Sequence, residues 1–463
     1  MTIPTRVLIG RRAFVFGAMA SAMLPACASD TPAADGPPPT GTGAKVPSPA
    51  AFVRTSWSTD PWSLGSYSFM AVGAEPAMRA ALAAPIDGRL FFAGEATDAD
   101  DPGTVNGALA TGRRVVSEVA SNAAAGARVA VIGAGAAGAQ AASLLVEDGF
   151  EVVVYEARDH MGGRLDTVQP AGWPIPVERG ASWVHAVDAS DLADRLARLG
   201  VATVPFGYEA AMLGANGQPI EDIEAFYDGV ETSIEDAVDA AGGRDDDISL
   251  AAAIADRPSP GDPTALAHFL SSEIVTEFGA DPDEISAWWG LEEGSEGDDE
   301  LVVGGYVRLV EDLLDGIAVE YEAAVSAITV RDGRVSLTVD DTPIDVDAVV
   351  VTVPLGVLKA GTIEFDPPLP GTHLAAIDAL GFGVLDKLWL RFDQQFWSNE
   401  ALMWTLVDDP DFPEWFNLAP VTGEPVLLGL VGGGRARRYA AATDDELVTT
   451  ALRSLQRLAD AGW

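Results

Sequence analysis

One stretch constrains the fold more than any other. The apolar run Arg128–Ile132 passes at once into GAGAAG, Gly133–Gly138; Ala139–Glu147 then reads as a helix and Glu151–Tyr155 as a second strand, closed by Glu156. Gly133, Gly135 and Gly138, with Ala137 between the last two, permit a tight turn, close approach of backbone to a pyrophosphate, and close packing of helix on strand. The helix start offers free N–H groups and a positive dipole end to a phosphate. Glu156 follows Gly133 by 23 residues, where a carboxylate can accept hydrogen bonds from ribose hydroxyls. A lone GxGxxG is weak evidence, and a Gly/Ala-rich loop in a helical protein is the plain alternative. Strand, glycines, helix, strand and acid in this order specify dinucleotide binding.

With 463 residues, an apolar fraction of 48% and 11 Trp, the chain can bury the cores of two or three domains. A net charge of -42 excludes a nucleic-acid partner, which requires a basic footprint. The same field would attract cations, protonated amines among them, although plain solubility is the simpler reading. Cys27 is the sole cysteine, so disulfides, a thiolate metal cluster and a cysteinyl flavin link from the mature domain are excluded. No metal is expected.

Arg6, Arg11 and Arg12 precede the apolar run Ala13–Ala26. That run is shorter than the roughly 20 residues that span a bilayer, so 1–28 reads as a signal peptide. RRAFVFG, Arg11–Gly17, resembles a twin-arginine signal, and LPAC, Leu24–Cys27, a lipoprotein cleavage box. The expectation is an exported protein, periplasmic or at the cell surface, with a possible lipid anchor at Cys27 as its sole membrane contact. Residues 29–50, rich in Pro, Gly, Ala and Thr, read as a flexible linker.

EARDHMGGRLDT, Glu156–Thr167, GASWVH, Gly180–His185, and FAGEAT, Phe92–Thr97, together resemble flavin-containing amine oxidases of the polyamine oxidase type. The resemblance implies an α/β fold: a Rossmann-like FAD-binding domain with a glutathione-reductase-like sheet, and a second, α+β substrate domain. It places Arg158, Gly162, Gly163 and Arg164 at the pyrophosphate, with Arg164 neutralising phosphate charge. Gly94 and Glu95 fall beside pyrophosphate and ribityl chain, Glu95 accepting hydrogen bonds from sugar hydroxyls or backbone N–H groups. Val325 matches a position whose backbone faces adenine, and Trp57, Gly180, Ala181, Ser182 and Trp183 lie near the ring system. Thr104 and Val105 begin a helix whose dipole can stabilise charge on the reduced ring. FAD is expected without a covalent link. His160, Glu178, Ala186 and Asn106 stand where the family usually has Arg, Asp, Gly and His.

The family order is rotated. Arg54–Glu118 resembles the last part of polyamine oxidases and of the flavin-dependent histone demethylase, yet it precedes the glycine turn, and the chain ends in a helix-like stretch after Thr443. A helix of 16 residues is about 24 Å long and a strand of seven about 23 Å, so Val105–Ala120 can carry the chain from a strand at Arg89–Ala93 back to one at Arg128. A circularly permuted domain should bring the region of Phe52 within roughly 15 to 20 Å of Trp463; a rearranged gene is the alternative. The expected division is FAD-binding domain 51–190 (51–121 plus 128–190) and 300–360, and substrate domain 191–299, read as a helical insert, and 361–463.

Three residues are assigned to the reacting face. Lys387 interrupts the apolar strand LDKLWLRF; a buried lysine is costly unless paired, and the resemblance implies that it holds a water against the reactive flavin nitrogen. A snorkelling edge-strand lysine is the alternative. Tyr67 matches a position facing the flavin, and His185 stands where polyamine oxidases keep a polar residue. Thr104 replaces a second cage aromatic, while Trp62, Trp288 and Trp289 read as core. Glu292, Glu293 and Glu296 could meet a distal ammonium, but read more simply as a solvated loop. The implied partners are an amine, polyamine or monoamine, and dioxygen. An amino-acid oxidase would need a cationic clamp for the substrate carboxylate, which the sequence does not offer; a surface-anchored flavoprotein without oxidase turnover is the third reading.

Overall fold

The computed structural model describes residues 45–463 apart from 258–260, 293, 295–296 and 332. Two sheets carry the architecture. The first has five parallel strands in the order Ala318–Glu320, Glu151–Tyr155, Arg128–Ile132, Ala348–Val351, Leu90–Phe92. Its middle strands are continuous apolar runs because both faces are covered: helices Val105–Asn122 and Ala136–Glu147 pack on one, and the smaller sheet that includes Val325–Arg331 and Arg334–Val339 packs on the other; Val129, Ala130 and Val131 are buried, as are all four residues of Ala348–Val351.

Val105–Asn122 and Ala136–Glu147 pack side by side on this sheet. Their approach depends on Gly112, where a Cβ would stand 2.6 Å from the Ala137 carbonyl oxygen. The helix Val105–Asn122 and a short connection join Leu90–Phe92 to Arg128–Ile132, with Ala348–Val351 between these two strands in the sheet.

The second sheet has seven strands in the order Ala51–Arg54, Leu385–Arg391, Val426–Gly432, Glu414–Asn417, Met403–Leu406, Ala210–Leu213, Pro219–Ile220. Trp404, Trp415 and Phe412 fill its core against the closing helix Asp444–Asp460. Thr443 starts that helix with a reciprocal cap involving Glu446.

The stretch 191–299, expected to be helical, is mixed. Ala202–Pro205 pairs with Glu300–Val303, and Ala210–Leu213 enters the large sheet parallel to Met403–Leu406. A tight turn at Asn216–Gly217, with Gly217 at φ +75°, returns the chain to Pro219–Ile220. Strands of two to four residues are too short for a periodic signal, although an Asn-Gly pair between apolar runs marks a hairpin.

The start and end of the folded unit meet. Val46 is buried among the side chains that hold Trp463, and its N–H donates to Gln456 Oε1 at 3.0 Å. Arg54 donates to the carbonyls of Tyr439 and Ala442 and to Asp444. The linker expected over 29–50 therefore ends sooner: within it, Val46 is docked and the Ala50 N–H pairs with the Arg391 carbonyl at 2.8 Å. The signal-like segment 1–28 and Cys27 lie outside the described residues.

Candidate active site

A cavity of about 310 Å³ opens over the ends of the parallel strands and runs to the second sheet. Its near wall is backbone. Gly133, Gly162, Gly163 and Gly94 have φ of +108°, +117°, +60° and +126°, a region that L side chains rarely adopt. The other constraint is space. A Cβ on Gly138 would stand 2.0 Å from the Gly133 oxygen, and one on Gly180 1.7 Å from the Arg164 oxygen. Gly138 accordingly does not line the cavity; it lets the helix close on the turn. At Gly135 and Gly94 the nearest atom to a Cβ lies 3.7 and 3.9 Å away, so these two give open backbone to the cavity. No side chain caps the helix at Gly135, which leaves N–H groups for an anion. This cradle, which side chains would fill, fits a dinucleotide pyrophosphate.

Glu156 braces the cradle. Its carboxylate accepts the Ala134 N–H at 2.8 Å and the Arg158 N–H at 2.9 Å. Thr352 donates to the Ile132 oxygen at 2.8 Å and fixes the end of the same strand. Ala137, Ala181, Val325, Trp57, Thr104 and Val105 also line the cavity. Thr104 caps the helix by accepting the Gly107 N–H at 3.0 Å.

The expected cations are already committed. Arg158 pairs bidentately with Asp60, at 2.8 and 2.6 Å. Arg164, expected to neutralise phosphate, lines the cavity beside Gly163 and donates to Glu95 at 2.7 Å and to the Ser66 carbonyl at 2.9 Å. Glu95, expected to accept from sugar hydroxyls or backbone N–H groups, accepts the Gly103 N–H at 3.0 Å, and with it that arginine and the Ser68 hydroxyl at 2.6 Å. Burial pushes the Glu95 carboxyl up, but Arg164, Ser68 and Arg79 outweigh it and hold it below the usual carboxylate range. The pair is a brace between two loops.

The brace continues through Arg79, 1% exposed, which donates to Ser68 Oγ at 2.7 Å and grips Glu292 at 3.0 and 2.7 Å. Glu292 is thus part of the cavity wall and tied to an arginine, contrary to its reading as a solvated loop; Glu293 and Glu296 lie outside the described residues. Trp62, read as core, is 37% exposed and lines the cavity.

At the far wall, Lys387 is 5% exposed on a strand flanked by Ala51–Arg54 and Val426–Gly432, which rules out snorkelling from an edge. Its ammonium donates to Ser182 Oγ at 2.5 Å and to the Gly180 carbonyl, 5.4 Å over the Trp183 ring. Tyr67 lines the same region and donates to the Thr276 carbonyl at 2.8 Å. His185 faces the cavity with Nδ1 at 2.7 Å from Asp299 Oδ2, and Asp299 also accepts the Tyr208 hydroxyl at 2.8 Å and the Ala186 N–H at 3.0 Å.

Apart from Gly138, every expected site residue lines this cavity. Sequence reasoning missed Asp299, Tyr208, Arg79 and Thr352. Arg79 left a trace, a lone cation in the helix AMRAALA. Asp299 and Tyr208 left none, because they lie 114 and 23 residues from His185 along the chain.

Comparison with known proteins agrees with this geometry. The family model "Flavin containing amine oxidoreductase" matches residues 37–120 and 136–462. Polyamine oxidase 4 of Oryza sativa subsp. japonica is 30% identical over 374 residues, covering 76% of each chain. Polyamine oxidase 2 of Arabidopsis thaliana is 32% identical, covering 71% of this chain and 72% of the relative. Among solved structures, a redesigned putrescine oxidase aligns with a TM-score of 0.59 at 21% identity, over 72% of this chain and 81% of that one. Cyclohexylamine oxidase from Brevibacterium oxydans IH-35A aligns with a TM-score of 0.59 at 22% identity, over 73% and 82%; at such identities these two speak for the fold. With most of its length matched and a glycine cradle shaped for the nucleotide, the chain belongs to the flavin-containing amine oxidoreductases, and its cofactor is FAD.

Proposed function

We propose that the protein oxidises a small amine, a polyamine or a monoamine, with hydrolysis of the resulting imine by water and release of hydrogen peroxide from dioxygen. The observation that carries this reading is a single cavity with the nucleotide cradle at one wall and Lys387, Tyr67 and His185 at the other. FAD, when bound, supplies the acceptor for hydride from the carbon next to the amine nitrogen. Gly133, Gly135, Gly162 and Gly163 would hold its pyrophosphate, Glu156 its ribose and the Val325 strand its adenine side. Ser182 and the Gly180 carbonyl fix Lys387 as a donor beside the ring site, where it would position water. Trp57, Trp183 and Tyr67 exclude solvent and orient the substrate.

The committed cations favour an amine over an amino acid. Of the lining cations, Arg158 is held by Asp60, Arg164 by Glu95, Arg179 by Asp166, and Lys387 by Ser182 and Gly180. A substrate carboxylate would have to displace one of these partners. Peroxide release from purified yellow protein with spermidine, spermine, monoamines and amino acids tests the reading. Peroxide with at least one amine and none with amino acids is expected; bound FAD with no peroxide from any amine would overturn it.

The family order is circularly permuted in this reading. Three observations support it: the Val46–Gln456 bond, the Arg54 contacts with the start of the closing helix, and the break of the family match between 120 and 136. A gene that moves residues 45–122 behind Trp463 should still give a flavoprotein. The domain division above goes with it. Export follows from Arg11, Arg12 and Cys27, and mass spectrometry of the mature N-terminus tests it.

A further inference from the structure

The carboxylate behind His185 carries a further inference, which rests on the amine reading of the cavity. Asp299 does not line the cavity, yet three donors converge on it: His185 Nδ1 at 2.7 Å, the Tyr208 hydroxyl at 2.8 Å and the Ala186 N–H at 3.0 Å. Two of these come from backbone that L residues avoid, since Ala186 has φ +47° and Tyr208 φ +58°. Each such residue is strained and persists only where its surroundings over-determine it. Gly297, whose Cβ would stand 3.0 Å from the Ala186 Cα, closes over the turn. Phe206 packs edge-on against Tyr208, with centroids 4.9 Å apart, and against Trp183 at 6.0 Å. Strained backbone on both sides of one buried carboxylate is a device for aiming, because a merely structural acid needs no such cost.

We propose that Asp299, with Tyr208, is a positioning residue that holds His185 as the Nδ1–H tautomer, its Nε2 lone pair facing the cavity, so that His185 accepts a proton from the substrate ammonium. Among the described residues Nε2 has no hydrogen-bond partner, whereas Nδ1 is committed. In the step, one ammonium N–H bond breaks, the proton goes to Nε2, and the electron pair stays on the amine nitrogen, which is then a competent hydride-donating substrate. The imidazolium so formed lies against the Asp299 carboxylate. Burial raises that carboxyl, but the His185 bond and the positive charge of the imidazolium, followed by the Ala186 N–H and the Tyr208 hydroxyl, outweigh burial and hold it below the usual carboxylate range. The arrangement selects ammonium ions with a removable proton on nitrogen, that is, primary, secondary and tertiary ones, and excludes quaternary ammonium.

The chain has four histidines, so the imidazole region of a ¹⁵N spectrum of the FAD-loaded protein is sparse, and His185→Gln identifies one set of signals. For His185, a protonated Nδ1 and a pyridine-type Nε2 are expected. In Asp299→Asn the tautomer preference should be lost, and kcat/KM for a primary amine should fall by about 100-fold. The limiting rate of flavin reduction at saturating amine should fall with it near neutral pH and recover as pH rises toward the range in which the free amine is already neutral, because hydride transfer itself does not involve the imidazole. Tyr208→Phe, which removes one hydroxyl and keeps the ring packing, should show a smaller fall in kcat/KM with the same recovery at high pH. An Nε2–H tautomer in the unmodified protein would overturn the proposal, as would a folded, FAD-loaded Asp299→Asn within twofold of the parent kcat/KM. If Asp299→Asn does not fold, the parent spectrum and Tyr208→Phe decide. A parent enzyme that no amine reduces would defeat the amine reading instead, a different result from normal turnover in the variants.

Discussion

The two walls of the cavity are built by different means. The nucleotide wall is made of backbone: Gly133, Gly135, Gly162 and Gly94 present main chain, and Gly138 and Gly180 are small because neighbouring carbonyls leave no room. The opposite wall is made of side chains that fix one another across the sequence, Lys387 on Ser182, Asp299 on His185, Arg79 on Glu292. Backbone geometry is set within a few residues, so that wall tolerates almost no substitution at its glycines. The side-chain wall is set by pairs whose loss should alter rate or stability by degrees.

The largest break in this contrast is Gly138→Val. The Cβ alone would meet the Gly133 oxygen at 2.0 Å; the oxygen is main chain and the Cβ is fixed by its bond to the Cα, so neither can swing away. Colourless protein with no flavin absorbance is expected; a yellow variant would show that the turn is softer than the geometry says. Next is Arg79→Ala, which leaves Glu292 without its partner at the cavity wall. A loss of about 3 kcal/mol, read by denaturant unfolding, is expected from breaking a buried pair. Lys387→Met keeps the length of the side chain and removes the donor. Turnover should fall by about 100-fold while the flavin spectrum persists, which separates a chemical role from a structural one. Thr104→Ala removes a helix cap and should cost about 1 kcal/mol.

Acid titration sharpens the same comparison. Arg164, Ser68 and Arg79, against burial, hold Glu95 below its ordinary range, so the folded form binds its proton less readily than the unfolded chain does. Its contribution to stability is therefore full above the unfolded value, near the usual carboxylate range, and is lost as pH falls through the lower folded value. Glu95→Gln should flatten the acid limb of the stability profile. An unchanged limb would mean that the Arg164–Glu95 brace carries little.

What could be read from the chain divides along the same line. The strand at Arg128, the glycine turn, the strand at Glu151 and the acid closing it lie within about thirty residues, and each is a local preference of backbone or apolar run. The sequence determined the nucleotide wall for that reason, and the buried Lys387 because a cation in the middle of a mostly apolar strand is conspicuous. Helix character was overestimated in 191–299, where short strands follow tertiary pairing more than periodicity. Only the tertiary structure decided the partners of the charged groups: Arg164 against Glu95, Arg79 against Glu292, Asp299 against His185. Such pairs join residues 69, 213 and 114 positions apart. The identity of a charged residue states that it needs a partner when buried, but which of 70 acidic residues supplies it is fixed by how the sheets and loops close around the cavity.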